Sequence, residues 1–253
     1  MPYGVYMPDS LYERLITAVG DCVGKEEVIL DCAIGPSTLG VHTAYGTGLA
    51  YVTPDAWQAV SEHGARAVEE RVRGQSLLRV IGDYGGSDPL KVNIGLAAIN
   101  SLLIGKGEEA DSPSWYQWLK SKKRLGMVGY FCPIMDRVAL TGVEPVIFEL
   151  RDIPGTHRPE EAADLLPGCD GVLITGATFA NKSVHRYLPH ISPDAAAFIF
   201  GHSTPLADFL LGSFTLGSSR VTDKDKLFAG IRQGQGIRDV KDCIRKVIRR
   251  KEQ

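Results

Sequence analysis

The chain has no cysteine pair at CxxC spacing. Its five cysteines (Cys22, Cys32, Cys132, Cys169 and Cys243) are odd in number and scattered over 253 residues. That usage argues against a disulfide framework and a structural zinc site, and it fits a reducing cytoplasm. No run approaches the roughly 20 apolar residues of a membrane span. The first twenty residues carry Asp9 and Glu13 and lack a basic start followed by an apolar core, so no secretory signal is expected. Charge of one sign is also lacking. There are 28 Lys and Arg against 30 Asp and Glu, a formal net charge of −2, so no global field favours nucleic acid or an anionic membrane. Repeats and low-complexity tracts are absent. So are the GxSxG elbow, the HExxH pair and the P-loop, which leaves the commonest hydrolase, zinc-protease and NTPase chemistries without a signature. The expectation is a cytoplasmic protein whose partner is a small molecule, with self-association left open.

The text that is present changes character part-way along. "DSLYERLITAVG" reads as a helix capped at Asp9 or Ser10, with Leu11, Leu15, Ile16 and Val19 on one face and Gly20 as its stop. "EEVILDCAI", "TLGVHTA" and "GLAYVTP" follow as β-rich pieces joined by "GPS" and "YGTG", which is turn chemistry and implies a meander. Helical text comes next, ending in "DPLKVNIGLAAINSLLIG". The polar stretch "KGEEADSPS" places a boundary near residue 112, giving an α+β part over 1–112 and a second part over 113–253. In the second part "LGMVGY", "PVIFEL", "GVLIT" and "AAAFIF" are short apolar runs without polar alternation. Strands covered on both faces read this way, and segments of helical length between them imply a parallel, Rossmann-like α/β sheet. "DVKDCIRKVIRRKEQ" reads as a basic amphipathic helix with Val240, Ile244, Val247 and Ile248 inward.

In an open parallel sheet ligands bind beyond the carboxyl ends of the strands. After the first predicted strand comes Gly129, but Tyr130, Phe131, Cys132 and Pro133 stand where a dinucleotide fold has its glycine fan. NAD(P) is therefore not expected to bind well. Glu149 follows Gly129 by twenty residues, the spacing of a ribose-holding carboxylate; a strand-end charge beside Arg151 is the competing reading. "TGATFANKS" offers Thr175, Gly176, Thr178 and Asn181, with Asn181 as N-cap of a helix "KSVHRYLP". "GHSTPL" offers Gly201, His202, Ser203 and Thr204 ahead of Pro205, a favoured first helical residue, so that free N–H groups there would cradle an anion or simply be capped. Gly129, Tyr130, Phe131, Glu149, Thr175, Gly176, Asn181, Gly201, His202, Ser203 and Thr204 are the candidate ligand-binding set. A second wall is expected from the first part of the chain, through Tyr45 to Thr47. Cys132 and His202 are the candidate donors for a soft or borderline divalent metal or metal chelate. Their bland counterparts are an inert thiol and a loop histidine. No residue is nominated as catalytic, and whether the chain is an enzyme stays open.

At "PVIFELRDIPG", "GVLITGATFANKS" and "FIFGHSTPLADFLLGSFTLGSSRVTD" the chain resembles the family named for heavy-metal chelation. "GTGLAYVTP" and "KVNIGLAAINSLL" are similar to that family's upstream domain, so the resemblance covers nearly the whole chain. It implies an enolase-N-terminal-like domain followed by a Rossmann-like domain, a cleft between them, and a role in handling a metal chelate or related small molecule. The alternative is an enzyme acting on a nucleotide-like or heterocyclic substrate in the same cleft. His202 stands where relatives carry a glycine or another small residue.

Overall fold

A computed structural model of the chain describes residues 8–110, 118–130, 132–212 and 214–251. Helix α1 spans Pro8–Gly20 and so already includes the two residues expected to cap it. Strands β1 (Asp31–Ile34), β2 (Thr38–Thr43) and β3 (Gly46–Tyr51) form the expected antiparallel meander, in register Cys32↔Val41 and Gly40↔Leu49. Helices α2 (Pro54–His63) and α3 (Ala65–Val72) are separated at Gly64, whose φ of 80° a residue with a side chain adopts only under strain. Helix α4 spans Leu77–Asp83 and α5 spans Pro89–Leu103. The apolar face of α5 lies directly on the meander. A side chain at Gly48 would collide with the backbone of Ala97 and Ser101, so this close approach needs a glycine.

Among the described residues seven strands make the second sheet. In chain order they are β4 (Glu108–Glu109), β5 (Arg124–Val128), β6 (Glu144–Phe148), β7 (Gly171–Thr175), β8 (Ala196–Phe200), β9 (Phe214–Val221) and β10 (Ile244–Arg249). Their spatial order is β4-β10-β9-β8-β7-β5-β6. The four strands read from the sequence are neighbours and parallel, with Val128 opposite both Phe148 and Ile174. Strand β9 extends the parallel run, and β10 and β4 close the far edge antiparallel.

Three expectations are corrected. The basic C-terminal segment is not a helix but strand β10, paired with β9 from Ile244↔Val221 to Arg249↔Leu216. The open backbone edge of β9 needs partners, and pairing outweighs a local helical pattern. "KSVHRYLP" is not a helix either: it forms 3-10 turns at Val184–Arg186 and Leu188–His190, with Pro189 in the second. Finally, no helix starts at Pro205. The chain from Thr204 to Ala207 is buried and non-helical, the Arg249 guanidinium donates to the Leu206 carbonyl (2.7 Å), and only a 3-10 turn follows at Asp208–Leu210.

The two sheets share packing. Helix α6 (Cys132–Ala139) and the short helices α7 (Ala162–Leu165) and α8 (Ala177–Ala180) lie between parallel strands. Helix α9 (Lys224–Arg232), capped by the Asp223 carboxylate, follows β9 and turns back onto the meander. Leu227, Phe228 and Ile231 of α9 join Ala33 and Leu49 in one buried cluster. Each large apolar side chain so buried contributes about 1.5–3 kcal/mol.

Candidate functional site

The carboxyl ends of β5, β6, β7 and β8 open into a cleft of about 510 Å³. Gly129 and Tyr130, Glu149, Thr175, and Gly201 with His202 and Ser203 supply its floor. Asn181 joins them from the segment after α8. The opposite wall is Tyr51, Thr53, Pro54 and Asp55, where β3 runs into α2; Tyr45 to Thr47 are not among the lining residues. Phe148, Leu150, Arg151, Thr178, Ser183 and Tyr187 also line it and escaped the sequence reading as binding candidates, apart from Thr178. Gly176 and Thr204 lie behind the floor, so close that a side chain at Gly176 would meet Thr204 Oγ1 at 2.5 Å. Phe131 lies outside the described residues, and of Cys132 only the backbone, the first residue of α6, is described.

The local chemistry accounts for the missing phosphate loop. Gly129 turns the chain at φ 97° and its N–H donates to Phe148 O (2.8 Å). The next N–H, that of Tyr130, donates to Glu149 Oε2 (3.1 Å). Glu149 Oε1 accepts from the N–H groups of Leu150 (2.9 Å) and Arg151 (3.1 Å), and the Arg151 guanidinium reaches Oε2 at 3.2 Å. Four donors thus fill a carboxylate that is 11% exposed. Burial pushes this carboxyl up, but the Arg151 side chain and the backbone donors of Arg151 and Tyr130 outweigh it and hold it below the usual glutamate range. Backbone donors that would meet a pyrophosphate here hold an internal anion instead.

Polar groups of Thr175, Asn181 and Ser203 at the other strand ends are also tied into the fold, with an exception at His202. Thr175 Oγ1 accepts from Ala177 N–H (3.3 Å). Asn181 Oδ1 accepts from Ser183 N–H (3.0 Å) and Ser183 Oγ (2.6 Å), an Asx turn rather than a helix cap. Ser203 Oγ accepts from the Tyr51 N–H (2.6 Å) and ties the meander to the parallel sheet. His202 donates to the Ala50 carbonyl, while its Nε2 is buried with no hydrogen-bond partner. That assigns the proton to Nδ1. Burial, and then the charge of Lys246, push the imidazole down to about 4, against the Ala50 bond that raises it. At neutral pH it is an uncharged ring with one bare lone pair. Burial pushes the Tyr187 phenol up to about 12, so it stays a neutral donor.

A second cavity, of about 500 Å³, is lined by Ile34, Arg66, Glu69, Glu70, Arg73 and Arg232. Its charges are paired: buried Glu69 accepts from Ile34 N–H (2.8 Å) and Arg232 Nε (2.9 Å), Arg66 pairs with Glu70 (3.2 Å), and Arg73 pairs with Asp31 outside the lining (2.7 Å). Among the described residues no group of three or more His, Cys, Asp or Glu side chains could hold a metal ion, and Cys32, Cys169 and Cys243 are buried. The described residues therefore do not fit a bare ion caged wholly by protein.

A mostly parallel sheet with polar groups gathered at its strand ends defines a Rossmann-like α/β protein, here carrying a separate small antiparallel sheet. The chain belongs to a family described as "Putative heavy-metal chelation": the DUF364 model matches residues 116–250, and DUF4213, with the same description, matches residues 13–103. Two solved DUF364-family structures of unknown function share its fold. The one from Desulfitobacterium hafniense DCB-2 is 22% identical and covers 96% of this chain and 98% of its own, with a TM-score of 0.78. The one from Pyrococcus horikoshii is 18% identical and covers 96% and 99%, with a TM-score of 0.72. No curated protein matches the chain. The family description supports a general role in chelation.

Proposed function

We propose that the chain is a cytoplasmic protein that binds a compact polar small molecule, in the class of metal chelates, in an interdomain cleft between an enolase-N-terminal-like domain and a Rossmann-like domain. The observation that carries this reading is the joint lining of the cleft, by Tyr51, Thr53, Pro54 and Asp55 on one side and the ends of four parallel strands on the other. A ligand there meets aromatic rings, hydroxyl groups and one neutral histidine. Beyond β5 and β6 the described backbone donors of Tyr130, Leu150 and Arg151 are already occupied by Glu149. A metal would arrive with its own chelator, since the described side chains form no cage; His202, with Cys132, is the donor pair that would complete such a complex.

The test is native mass spectrometry with elemental analysis of protein purified without added chelator, followed by equilibrium dialysis against nickel(II) citrate. A co-purifying chelate, or nickel and citrate retained together at one equivalent, supports the reading. Bare metal retained without citrate, or neither retained, defeats it. The second reading, an enzyme acting on a nucleotide-like or heterocyclic molecule, is favoured by Tyr51, Tyr130, Phe148 and Tyr187 in one lining, since aromatic rings suit a planar ligand. Chemical change in a co-purified heterocycle on incubation would select it.

A further inference from the structure

We infer that Lys182 is a positioning residue, a cationic latch through which the first part of the chain sets the shape of the cleft rim at Asn181 and Ser183. This rests on the cleft reading above. Among the described residues Lys182 is the only non-glycine at positive φ, at 51°. L side chains rarely adopt that conformation, and glycine or asparagine is its usual occupant. Lysine brings something they lack. Its Nζ donates to the carbonyls of Gly85 (3.1 Å) and Gly86 (2.6 Å), just beyond α4. It also lies 5.1 Å from the ring centre of Tyr12 and 5.5 Å from that of Tyr84, within cation–π range.

The backbone of Lys182 is held as well. Its carbonyl accepts the Tyr12 hydroxyl (2.7 Å). A phenol has one proton, so the contact between Tyr12 Oη and His185 Nδ1 (2.9 Å) requires the histidine to donate. Two further donors from the first part grip the same segment: Tyr84 Oη to Phe179 O (3.0 Å) and Asn93 Nδ2 to Ala180 O (2.8 Å). Residues 179–185 are thus strapped from outside by α1, the end of α4, and α5. On its other side the segment presents Asn181 and Ser183, linked by their Asx turn, to the cleft. The strained residue sits between the two cleft-lining ones, so its left-handed turn fixes how they face.

Hydrogen–deuterium exchange on the full chain separates latch from mere stability. Lys182→Gly relaxes the backbone but removes the latch; Lys182→Met keeps the stem without the ammonium; Lys182→Arg keeps the cation. Exchange in peptides over 177–190 is expected to rise about tenfold in the Gly and Met variants, with 171–175 and 196–200 unchanged, and to stay within about twofold of the parent for Arg. Nickel(II) citrate, measured by dialysis, is expected to bind about tenfold more weakly in the Gly and Met variants and to recover in Arg. Unchanged exchange in both variants, or an equal rise in the strands, overturns the latch. Raised exchange with nickel citrate affinity equal in all four proteins overturns its link to the cleft. A parent that retains no nickel citrate removes the chelate reading instead, and the latch then stands or falls on exchange alone.

Discussion

Replacing Glu149 by alanine should turn the internal anion site into an anion-binding site. The carboxylate serves the part-buried Tyr130 N–H, the more exposed N–H groups of Leu150 and Arg151, and a guanidinium that is 69% exposed. Stranding one part-buried N–H costs about 1–3 kcal/mol. The other two amides regain water, and the exposed ion pair adds at most about 1 kcal/mol. The expected loss is therefore about 1–4 kcal/mol in urea unfolding at pH 7. Inorganic sulfate should restore part of it by occupying the emptied nest, by about 1.4 kcal/mol at ten times its dissociation constant. Glu149→Gln should be destabilised without rescue, because its amide still fills the nest and sets N–H against N–H. The carboxyl titrates below its ordinary value when folded. Its contribution is therefore complete above the ordinary glutamate pKa of about 4.3 and is lost as pH falls through the folded value; the gap between parent and Ala variant should narrow only in that acid range. Sulfate stabilising parent and Ala variant equally would reflect general salting-out and refute the reasoning, as would an Ala variant within about 0.5 kcal/mol of the parent.

Three further outcomes follow from the same geometry. Ser203→Ala leaves the Tyr51 N–H without its acceptor, and denaturant unfolding should show a loss of about 1–3 kcal/mol. The His202 ring, followed by NMR, should titrate near 4 rather than near 6.5; because the unfolded chain then binds the extra proton, stability should fall as pH drops from about 6.5 towards 4. His202→Asn, which keeps a donor for Ala50, should abolish that slope. Calorimetry with NAD or NADP should detect no micromolar binding, and micromolar affinity would show that the Tyr130–Glu149 turn opens.

Strands β5 and β7 were legible because burial on both faces leaves short apolar runs, and β6 and β8, less completely buried, still carry such runs. The meander was legible through its glycine turns. What misled was text whose local pattern fits two structures. "IRKVIR" carries apolar residues at 244, 247 and 248, which suit one helical face; the exposed edge of β9 decides for a strand, and β9 is remote in sequence. Pro205 presets a φ that serves a helix start or an extended chain alike, and Arg249 holding Leu206 O selects the latter. In the cleft, Gly129, Glu149, Thr175 and Gly201 to Ser203 follow from the rule that ligands meet strand ends. Tyr51 to Asp55 do not, because the side of the meander that faces the sheet is set by long-range ties such as Ser203 to Tyr51.

The twenty residues between Gly129 and Glu149 carry a different meaning here than in a dinucleotide site. Because β5 and β6 are neighbours with Val128 opposite Phe148, the residues that follow each strand emerge side by side. In a dinucleotide fold that adjacency lets a carboxylate reach a ribose while glycine N–H groups hold phosphate. With bulky residues after Gly129, the carboxylate instead turns back onto the Tyr130 N–H and takes the place of the phosphate. The negative charge of this end of the cleft is therefore built in and already neutralised by Arg151 and three backbone dipoles. Among the described residues there, the N–H groups of Gly129, Tyr130, Leu150 and Arg151 are already taken, so a second anion would have to compete with Glu149 for the same donors. On the cleft reading, the part of the ligand facing Tyr130 and Glu149 is neutral or cationic, which a metal centre within a chelate satisfies and a pyrophosphate does not.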